Sequence, residues 1–286
     1  MINWPDQLIK DIARRRAVIM LGSGVSKNSI GKDGARPPTW REFLDSALSN
    51  VPPKSKHLVA ALNGGDYLSA CEWIKNRMDE GWNEYLRNVF LRPAYQPNKV
   101  HELIFELDAG IYLTPNFDKI FDNYVTERTD GTTIIKTYYD DDVHQLIRGG
   151  TRLILKMHGS IDSPDRMIFG RAKYSETRIK FAPFYHLIDA LLLTNTFLMI
   201  GCGLNDPDFQ LLFENYSYRF PSGAPHYMTY ADPAPQELES LLRDTRKIKL
   251  LKYSRAAEHK ELEDSLVELN KKVEDERESI AASFTW

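Results

Sequence analysis

Four apolar runs of this chain each end in a short glycine-containing or polar segment. These segments are GSGVS at 22–26, TPNFD at 114–118, KMHGS at 156–160 and GCGLNDPDF at 201–209. Apolar runs that alternate with amphipathic helices are typical of a parallel sheet covered by helices on both faces. Because the carboxyl ends of parallel strands meet at one edge of the sheet, the four segments predict a single nucleotide-binding crevice.

The apolar runs also predict the strands. Six are expected, at Ala17–Leu21, Ile111–Leu113, Leu153–Lys156, Phe197–Ile200, His226–Tyr230 and Ile248–Leu251. A seventh is expected around Thr132–Lys136, since this stretch is rich in β-branched residues and follows an Asp-Gly turn signal. Its place in the sheet is open. The predicted fold class is α/β, with a Rossmann-like, mainly parallel sheet and helices on both faces.

Between residues 39 and 107 five segments have helical spacing and little strand signal, which predicts a helical module inserted after the first strand. Pro52-Pro53 and Gly64-Gly65 break this stretch into helices. The module is either a scaffold or a wall whose inner face closes over a ligand. The predicted units are a core formed by 1–26 and 108–255, the helical module 27–107, and a carboxyl-terminal helix and tail 256–286.

Composition excludes several classes of protein. With 286 residues, 42% hydrophobic residues, 27% charged residues and a formal charge of −3, the chain has the composition of a soluble globular protein. This charge gives no general case for nucleic-acid binding, although Arg14–Arg16 are one candidate for a local basic patch. Cys71 and Cys202 are the only cysteines, too few for a four-cysteine zinc site or a disulfide framework.

No targeting or membrane segment is recognisable in the sequence. The amino-terminal residues 1–16 predict an amphipathic helix without the apolar centre of a signal peptide. The apolar stretch around 189–201 is too short and too interrupted to cross a bilayer. A cytoplasmic location without a membrane partner is therefore expected.

The first two segments each allow two interpretations. Gly22 and Gly24 would let backbone N–H groups approach a pyrophosphate, with Ser26 as a further donor, but Lys27 stands where a third glycine is usual. A tight strand-to-helix turn explains the same residues. In TPNFD, Asn116 or Asp118 either caps the following helix or belongs to a site.

The other two segments are similarly ambiguous when each is taken alone. His158 precedes Gly159 at a strand end, where an imidazole acts as a base near neutral pH or serves only in packing. Gly201 and Gly203 permit a close backbone approach, while Asp206 before Pro207 is a good helix N-cap.

Taken together, the four segments resemble the sirtuin family, and in particular the sirtuin-like NAD hydrolase domains of bacterial antiphage defence proteins. The resemblance covers about residues 15–255. Two departures argue against the protein deacylases of that family. The chain lacks the paired Cys-x-x-Cys motifs of the zinc ribbon, and it has SIGKDGARPPTWREF after the first loop in place of a Gly-Ile-Pro-Asp-Phe-Arg type of loop.

The resemblance implies cleavage of the bond between nicotinamide and ribose in NAD, with NAD as substrate and no metal. It implies that Asn116 contacts the nicotinamide ribose or positions a water, that His158 acts as base, and that Asp206 or Asp208 is structural. The cofactor-binding residues that we assign on this basis are Gly22, Ser23, Gly24, Ser26, Thr114, Asp118, Gly201 and Gly203.

A hydrolase that destroys NAD has to be inactive until it is triggered. The resemblance implies activation through a homo-oligomer or through a partner, with a HerA-like ATPase favoured. The charged carboxyl-terminal helix, from about Ala256 to Ser279, is either a contact surface or a solvated helix. Two other functions stay open: a non-catalytic module that senses NAD or an NAD-derived nucleotide, and an NAD-dependent protein deacylase.

Overall fold

The computed structural model describes residues 1–51 and 55–283. Its strands are β1 (Ala17–Leu21), β2 (Ile111–Thr114), β3 (Ile134–Thr137), β4 (Leu153–Lys156), β5 (Thr196–Ile200), β6 (His226–Asp232) and β7 (Ile248–Ser254). Its α-helices are α1 (Asp6–Ala13), α2 (Ser23–Ser26), α3 (Trp40–Ser49), α4 (Lys56–Asn63), α5 (Tyr67–Met78), α6 (Gly81–Phe90), α7 (Lys99–Glu106), α8 (Ile120–Arg128), α9 (Val143–Arg148), α10 (Arg171–Lys180), α11 (Ala182–Thr194), α12 (Pro207–Arg219), α13 (Gln236–Arg246) and α14 (Ala256–Ser283). Short 3-10 turns occur at Lys32–Gly34 and Pro164–Arg166.

Within the described residues the strands form one seven-stranded sheet in the order β3-β4-β2-β1-β5-β6-β7. Every pair of neighbouring strands is parallel. The predicted α/β class is therefore confirmed, and each predicted strand overlaps an observed one. The seventh strand, β3, lies at the edge of the sheet beside β4, and it is displaced by one to two residues from the predicted span.

The sheet is buried on both faces, which explains the continuous apolar runs of its central strands. In β1 the side chains of Ala17, Ile19 and Leu21 enter one hydrophobic cluster, and those of Val18 and Met20 enter the cluster on the opposite face. All five residues are buried. This alternation places helices on both sides of the sheet.

The helices α3 to α6 form a third hydrophobic cluster around Phe43, which includes Phe169 from the loop before α10. A capping box between Thr39 and Glu42 begins α3. By contrast, Leu103 and Ile104 of α7 pack in the cluster on the sheet. The predicted division into domains stays a prediction. Gly64-Gly65 separate α4 from α5, whereas Pro52-Pro53 and the last three residues of the predicted tail lie outside the described residues.

The carboxyl-terminal helix α14 packs against the body of the protein. Leu262, Leu266 and Leu269 lie in the same cluster as residues of α1 and α7. The amino-terminal chain joins this contact, because the Trp4 indole N–H donates to the backbone oxygen of Ser265 at 2.8 Å. One face of the helix is thus buried, in contrast to the solvated helix considered from the sequence.

The helices in the described part of the chain are all too short or too polar to span a bilayer.

Candidate functional site

The four segments singled out from the sequence follow β1, β2, β4 and β5, which are adjacent in the sheet. Their loops meet at one edge, beside the point where the chain switches from one side of β1 to the other. A cavity of about 590 Å³ lies there. The assigned residues that line it are Gly22, Ser23, Ser26, Asn116, Asp118, His158 and Gly203. Three assigned residues, Gly24, Thr114 and Gly201, lie in the same loops outside the cavity lining.

The glycines of the first and fourth loops touch each other. A side chain at Gly22 or Gly24 would place its Cβ only 2.3 or 2.8 Å from the backbone oxygen of Gly201. The N–H of Gly24 donates to that oxygen at 2.9 Å, and the N–H of Gly22 donates to the backbone oxygen of Ile200 at 2.9 Å. Loop-to-loop contact thus explains the missing side chains, and the assignment of these glycines to cofactor binding stays a prediction.

The TPNFD loop is fixed at both of its ends. The hydroxyl of Thr114 donates to the backbone oxygen of Leu21 at 2.8 Å, which ties β2 to β1. Asp118 accepts from the N–H of Ile120 at 3.0 Å and from the hydroxyl of Ser26 at 3.2 Å. Asp118 therefore supports the start of α8 and also bridges to the first loop, while its assignment to a ligand site stays a prediction.

Asn116 lies between these anchors and faces the cavity. Its backbone N–H donates to the Thr114 hydroxyl at 3.0 Å, which fixes the main chain. Among the residues that the structure describes, none hydrogen-bonds its side-chain amide. The backbone of Asn116 is thus held in place, and its side-chain amide is available to a ligand.

A buried ion pair supports the same loop from below. Lys156, the last residue of β4, donates to the Asp122 carboxylate at 2.7 Å and to the backbone oxygen of Asp118 at 2.6 Å. The side chains of Lys156 and Asp122 are only 1% and 4% exposed. Burial raises the pKa of Asp122, against the charge of the neighbouring ammonium. The pair links β4 to α8 two residues before His158.

His158 is buried beside two carboxylates. Its Nε2 lies 3.3 Å from Oδ2 of Asp208 and 3.7 Å from Oδ2 of Asp206. Burial alone would lower the pKa of His158, but the Asp206 and Asp208 carboxylates outweigh it and raise this pKa. The carboxylates thereby stabilise the protonated imidazole.

Asp208 is fully buried and has two partners that the sequence analysis missed. Its carboxylate accepts from Arg178 Nε at 2.6 Å and from the Tyr185 hydroxyl at 2.9 Å. Burial would raise the pKa of Asp208, but His158 and Arg178 lower it, so the carboxylate stays charged. The sequence contains only a weak signal for this group, the two aspartates in NDPDF.

Asp206 has the capping role that its position before Pro207 predicts. Its Oδ1 accepts from the N–H groups of Asp208 and Phe209 at 3.0 and 2.9 Å. Its Oδ2 accepts from the hydroxyl of Tyr174 at 3.1 Å and faces His158. The resemblance gave Asp206 or Asp208 a structural role, and the structure places both beside the histidine.

The helical segments provide one wall of the cavity. Trp40, Phe43 and Phe90 line it together with Phe117 of the TPNFD loop. Phe117 packs against Phe169 with ring centroids 4.4 Å apart. Helices α3 to α6 thus pack around their own cluster and also contribute aromatic surface to the cavity.

The loop after GSGVS reaches the same wall. Pro37, Pro38 and Thr39 line the cavity. Lys27, the residue at the position of the missing third glycine, pairs with Glu42 at 2.8 Å. Its hydrogen bond holds the pKa of Glu42 down at about 2. Lys27 thus fastens the first loop to α3.

The lining offers an anionic ligand one guanidinium, that of Arg171, within the described residues. It is bound to Asp66 at 2.9 Å and to the hydroxyl of Ser69 at 3.0 Å. Across residues 1–51 and 55–283, histidine, cysteine and carboxylate side chains form no cluster suited to a metal ion.

Comparison with known proteins agrees with the sequence pattern. The family described as SIR2-like domain matches residues 110–251, so this part of the chain is similar to such domains. Three curated relatives bear the name NAD(+) hydrolase ThsA. The relative from Acinetobacter baumannii is 23% identical over 218 residues, which are 75% of this chain and 42% of the relative. Those from Bacillus cereus and Enterococcus faecium are 21% and 22% identical and cover 71% and 76% of this chain, and 40% and 43% of the relatives. This chain spans less than half the length of the curated relatives that it matches.

Proposed function

We propose that this chain, which is similar to SIR2-like domains over residues 110–251, is an NAD+ hydrolase that cleaves the bond between nicotinamide and ribose. The observation that carries the proposal is the convergence of Asn116 and His158 on one cavity at the ends of adjacent strands. The name of its relatives supports the choice of substrate. The volume of the cavity is within the usual range of ligand sites.

The cationic nicotinamide of NAD+ leaves as a neutral molecule, so the transition state carries positive charge on the ribose. The backbone of Asn116 is held in place and its side-chain amide has no partner among the described residues, so this amide orients the ribose or the attacking water. Water adds to the anomeric carbon as the bond to nicotinamide breaks, and His158 takes up the proton that water releases. The products are ADP-ribose, nicotinamide and a proton, and no metal takes part.

The assignment of Ser23, Ser26, Thr114, Asp118, Gly22, Gly24, Gly201 and Gly203 to the NAD site is part of this proposal. Gly22, Ser23, Ser26, Asp118 and Gly203 line the cavity directly. Gly24, Gly201 and Thr114 act through the geometry of the loops. The hydrogen bond from Ser26 to Asp118 joins the first loop to the loop of Asn116.

We further propose a role in antiphage defence in the cytoplasm, with activity released by self-assembly or by a HerA-like ATPase. Homology to hydrolases that act on NAD supports the first part. Depletion of NAD harms the host cell, so the resting chain has to be restrained. The exposed part of α14 is a candidate contact surface, because one of its faces is polar and unburied.

The test is nicotinamide release from NAD by the purified chain, over a range of protein concentrations and with the ATPase added. We expect Asn116→Ala and His158→Ala each to lower the rate by about 100-fold or more, the usual size of positioning and acid–base effects. The matched control is Asp244→Asn, at a carboxylate that is 62% exposed on α13. Full activity in both site variants would overturn the site and leave the reaction standing.

The same assay separates the alternatives. NAD that binds but survives in every condition would favour a nucleotide sensor. Nicotinamide release that requires an acylated peptide would favour a deacylase. Chromatography of the nucleotide product distinguishes linear from cyclic ADP-ribose.

A further inference from the structure

We infer that Asp208 is a positioning residue for His158, holding the imidazole in the tautomer whose Nδ1 faces the cavity as a proton acceptor. The inference rests on the proposed function for its catalytic meaning. Its structural content, the tautomer and the contact that sets it, is independent of which reaction the site performs.

The two ring nitrogens of His158 have different surroundings. Nε2 of His158 lies 3.3 Å from the Asp208 carboxylate, which is ionised and can only accept a hydrogen bond. A neutral imidazole at this distance therefore carries its proton on Nε2. Nδ1 then has a lone pair, and no group of the described residues hydrogen-bonds it. Since His158 lines the cavity, Nδ1 is the atom that can accept a proton from a ribose hydroxyl or a water.

Asp208 itself is anchored. Its side chain is fully buried, and donors from α10 and α11 fix both of its oxygens. Arg178 donates to Oδ1, whereas Tyr185 donates to Oδ2, the same oxygen that faces His158. A carboxylate fixed on two sides holds one orientation, and that orientation determines the plane of the imidazole.

Charged groups lie around the ring. The start of α12 and its N-cap present Asp208 and Asp206 to His158. Helix α10 presents Arg178 and the ring of Tyr174, and α11 presents Tyr185 through Asp208. The two carboxylates stabilise the imidazolium, while Arg178 opposes it. A base with such a partner accepts a proton more readily, but it is inactive once protonated.

In the hydrolysis the bond from the anomeric carbon to nicotinamide breaks and nicotinamide leaves as a neutral molecule, while the attacking water bonds to that carbon and gives its proton to Nδ1. The imidazolium then donates to Asp208 through Nε2. Asp208 keeps its charge throughout, and the bound proton later returns to solvent.

A direct test is nitrogen NMR of the full chain labelled only at histidine, with His158→Gln used to assign the signals. The expected result at high pH is a neutral ring with a protonated Nε2 and a bare Nδ1. A ring protonated on Nδ1 would overturn the inference, whether or not the protein cleaves NAD. The tautomer itself is measured on the unaltered chain, and the variant serves only to identify the signal that is lost.

A second test uses Asp208→Asn, whose amide can donate to Nε2 and so favours a proton on Nδ1. We expect kcat for nicotinamide release to fall by about 100-fold or more with little change in KM. The pKa of His158 would fall, so the acidic limb of the kcat profile would move to lower pH. Tyr185→Phe keeps the ring and removes one donor that orients Asp208, and it should lower kcat by a smaller factor.

The control is Asp244→Asn, which makes the same chemical change on an exposed surface. A folded Asp208→Asn variant with unchanged kcat and an unchanged pH profile would overturn the positioning role. If no variant or wild-type sample cleaves NAD, the proposed function fails, while the tautomer measurement still decides the inference.

Discussion

Gly201 is the residue at which two loops of the site approach most closely, and it also has a backbone that disfavours side chains. Its φ is +64°, in the left-handed region, and an added Cβ would lie 2.6 Å from the backbone nitrogen of Val25. We expect Gly201→Ala to lower the free energy of unfolding by about 2 kcal/mol or more, because strain and steric overlap act together. Denaturant titration followed by circular dichroism measures the change.

Gly203 provides the matched control in the same loop. A Cβ at this position would meet nothing within 4 Å. We expect Gly203→Ala to change stability by no more than about 0.5 kcal/mol. Equal losses in the two variants would show that contact with the first loop is not the reason for glycine at 201.

For single residues, the sequence predicted where the loop glycines and His158 stand better than it predicted which groups they contact. The expectation that the glycines admit a pyrophosphate stays a prediction, and the N–H groups of Gly22 and Gly24 donate to the backbone oxygens of Ile200 at the end of β5 and of Gly201 in the fourth loop. The sequence predicted that His158 stands at a strand end, but not its partner. Asp208 lies 50 residues away, and only the packing of α12 against α10 and α11 brings the two together.

Among the elements, β4 was predicted with its observed ends. All four of its residues are buried, and three of them form a continuous apolar run that is clear in the sequence. The edge strand β3 was less well placed, since it is only partly buried and has a weaker pattern. Helix α10 was not predicted at all. Its sequence RAKYSETRIK has few apolar residues and therefore no clear helical pattern. The packing of this helix in the fold places Tyr174 and Arg178 at the site.

The join between β4 and α8 allows a prediction about the buried pair of Lys156 and Asp122. Lys156→Met leaves the Asp122 carboxylate buried without its cation. We expect a loss of about 3–5 kcal/mol in the free energy of unfolding at pH 7.5. Chemical denaturation monitored by tryptophan fluorescence gives this value.

The pH dependence of that loss follows from the pKa of Asp122, which burial raises above the value in an unfolded chain. The folded variant takes up a proton at higher pH than the unfolded variant does. Lowering the pH through the raised pKa therefore stabilises the folded state, and the loss should shrink toward acidic pH. Adding Asp122→Leu to Lys156→Met should recover part of the stability at pH 7.5. A loss that is independent of pH and of Asp122 would contradict this account.

In the whole molecule, the two ends of the described chain pack together on one face of the sheet. Helix α14 contacts α1 and α7, and the amide N–H of Ile2 donates to the hydroxyl of Ser265 at 2.9 Å. The high charge of the carboxyl-terminal sequence left a solvated helix open. Its buried leucines recur at helical spacing, but a sequence alone does not show which surface they meet.

Neighbouring residues of α14 allow a test with a built-in comparison. Leu266 is fully buried, whereas Val267 is 53% exposed. We expect Leu266→Ala to lower the free energy of unfolding by about 2–5 kcal/mol, because it leaves a cavity between the helix and the body. Val267→Ala should change it by no more than about 0.5 kcal/mol. Urea titration of both variants provides the measurement.

The comparison also bears on how a partner would reach the site. If Leu266→Ala is strongly destabilising, α14 is part of the folded body, and a partner can bind only its outer face, on which Val267 lies. Such a partner would not touch the cavity and would act on it through contacts between α14 and the loops. One such contact is the hydrogen bond of 3.1 Å from Asn28, two residues after the cavity-lining Ser26, to the backbone oxygen of Glu258. Small and equal effects at Leu266 and Val267 would instead mean that α14 detaches readily, and a partner could then replace it on the sheet.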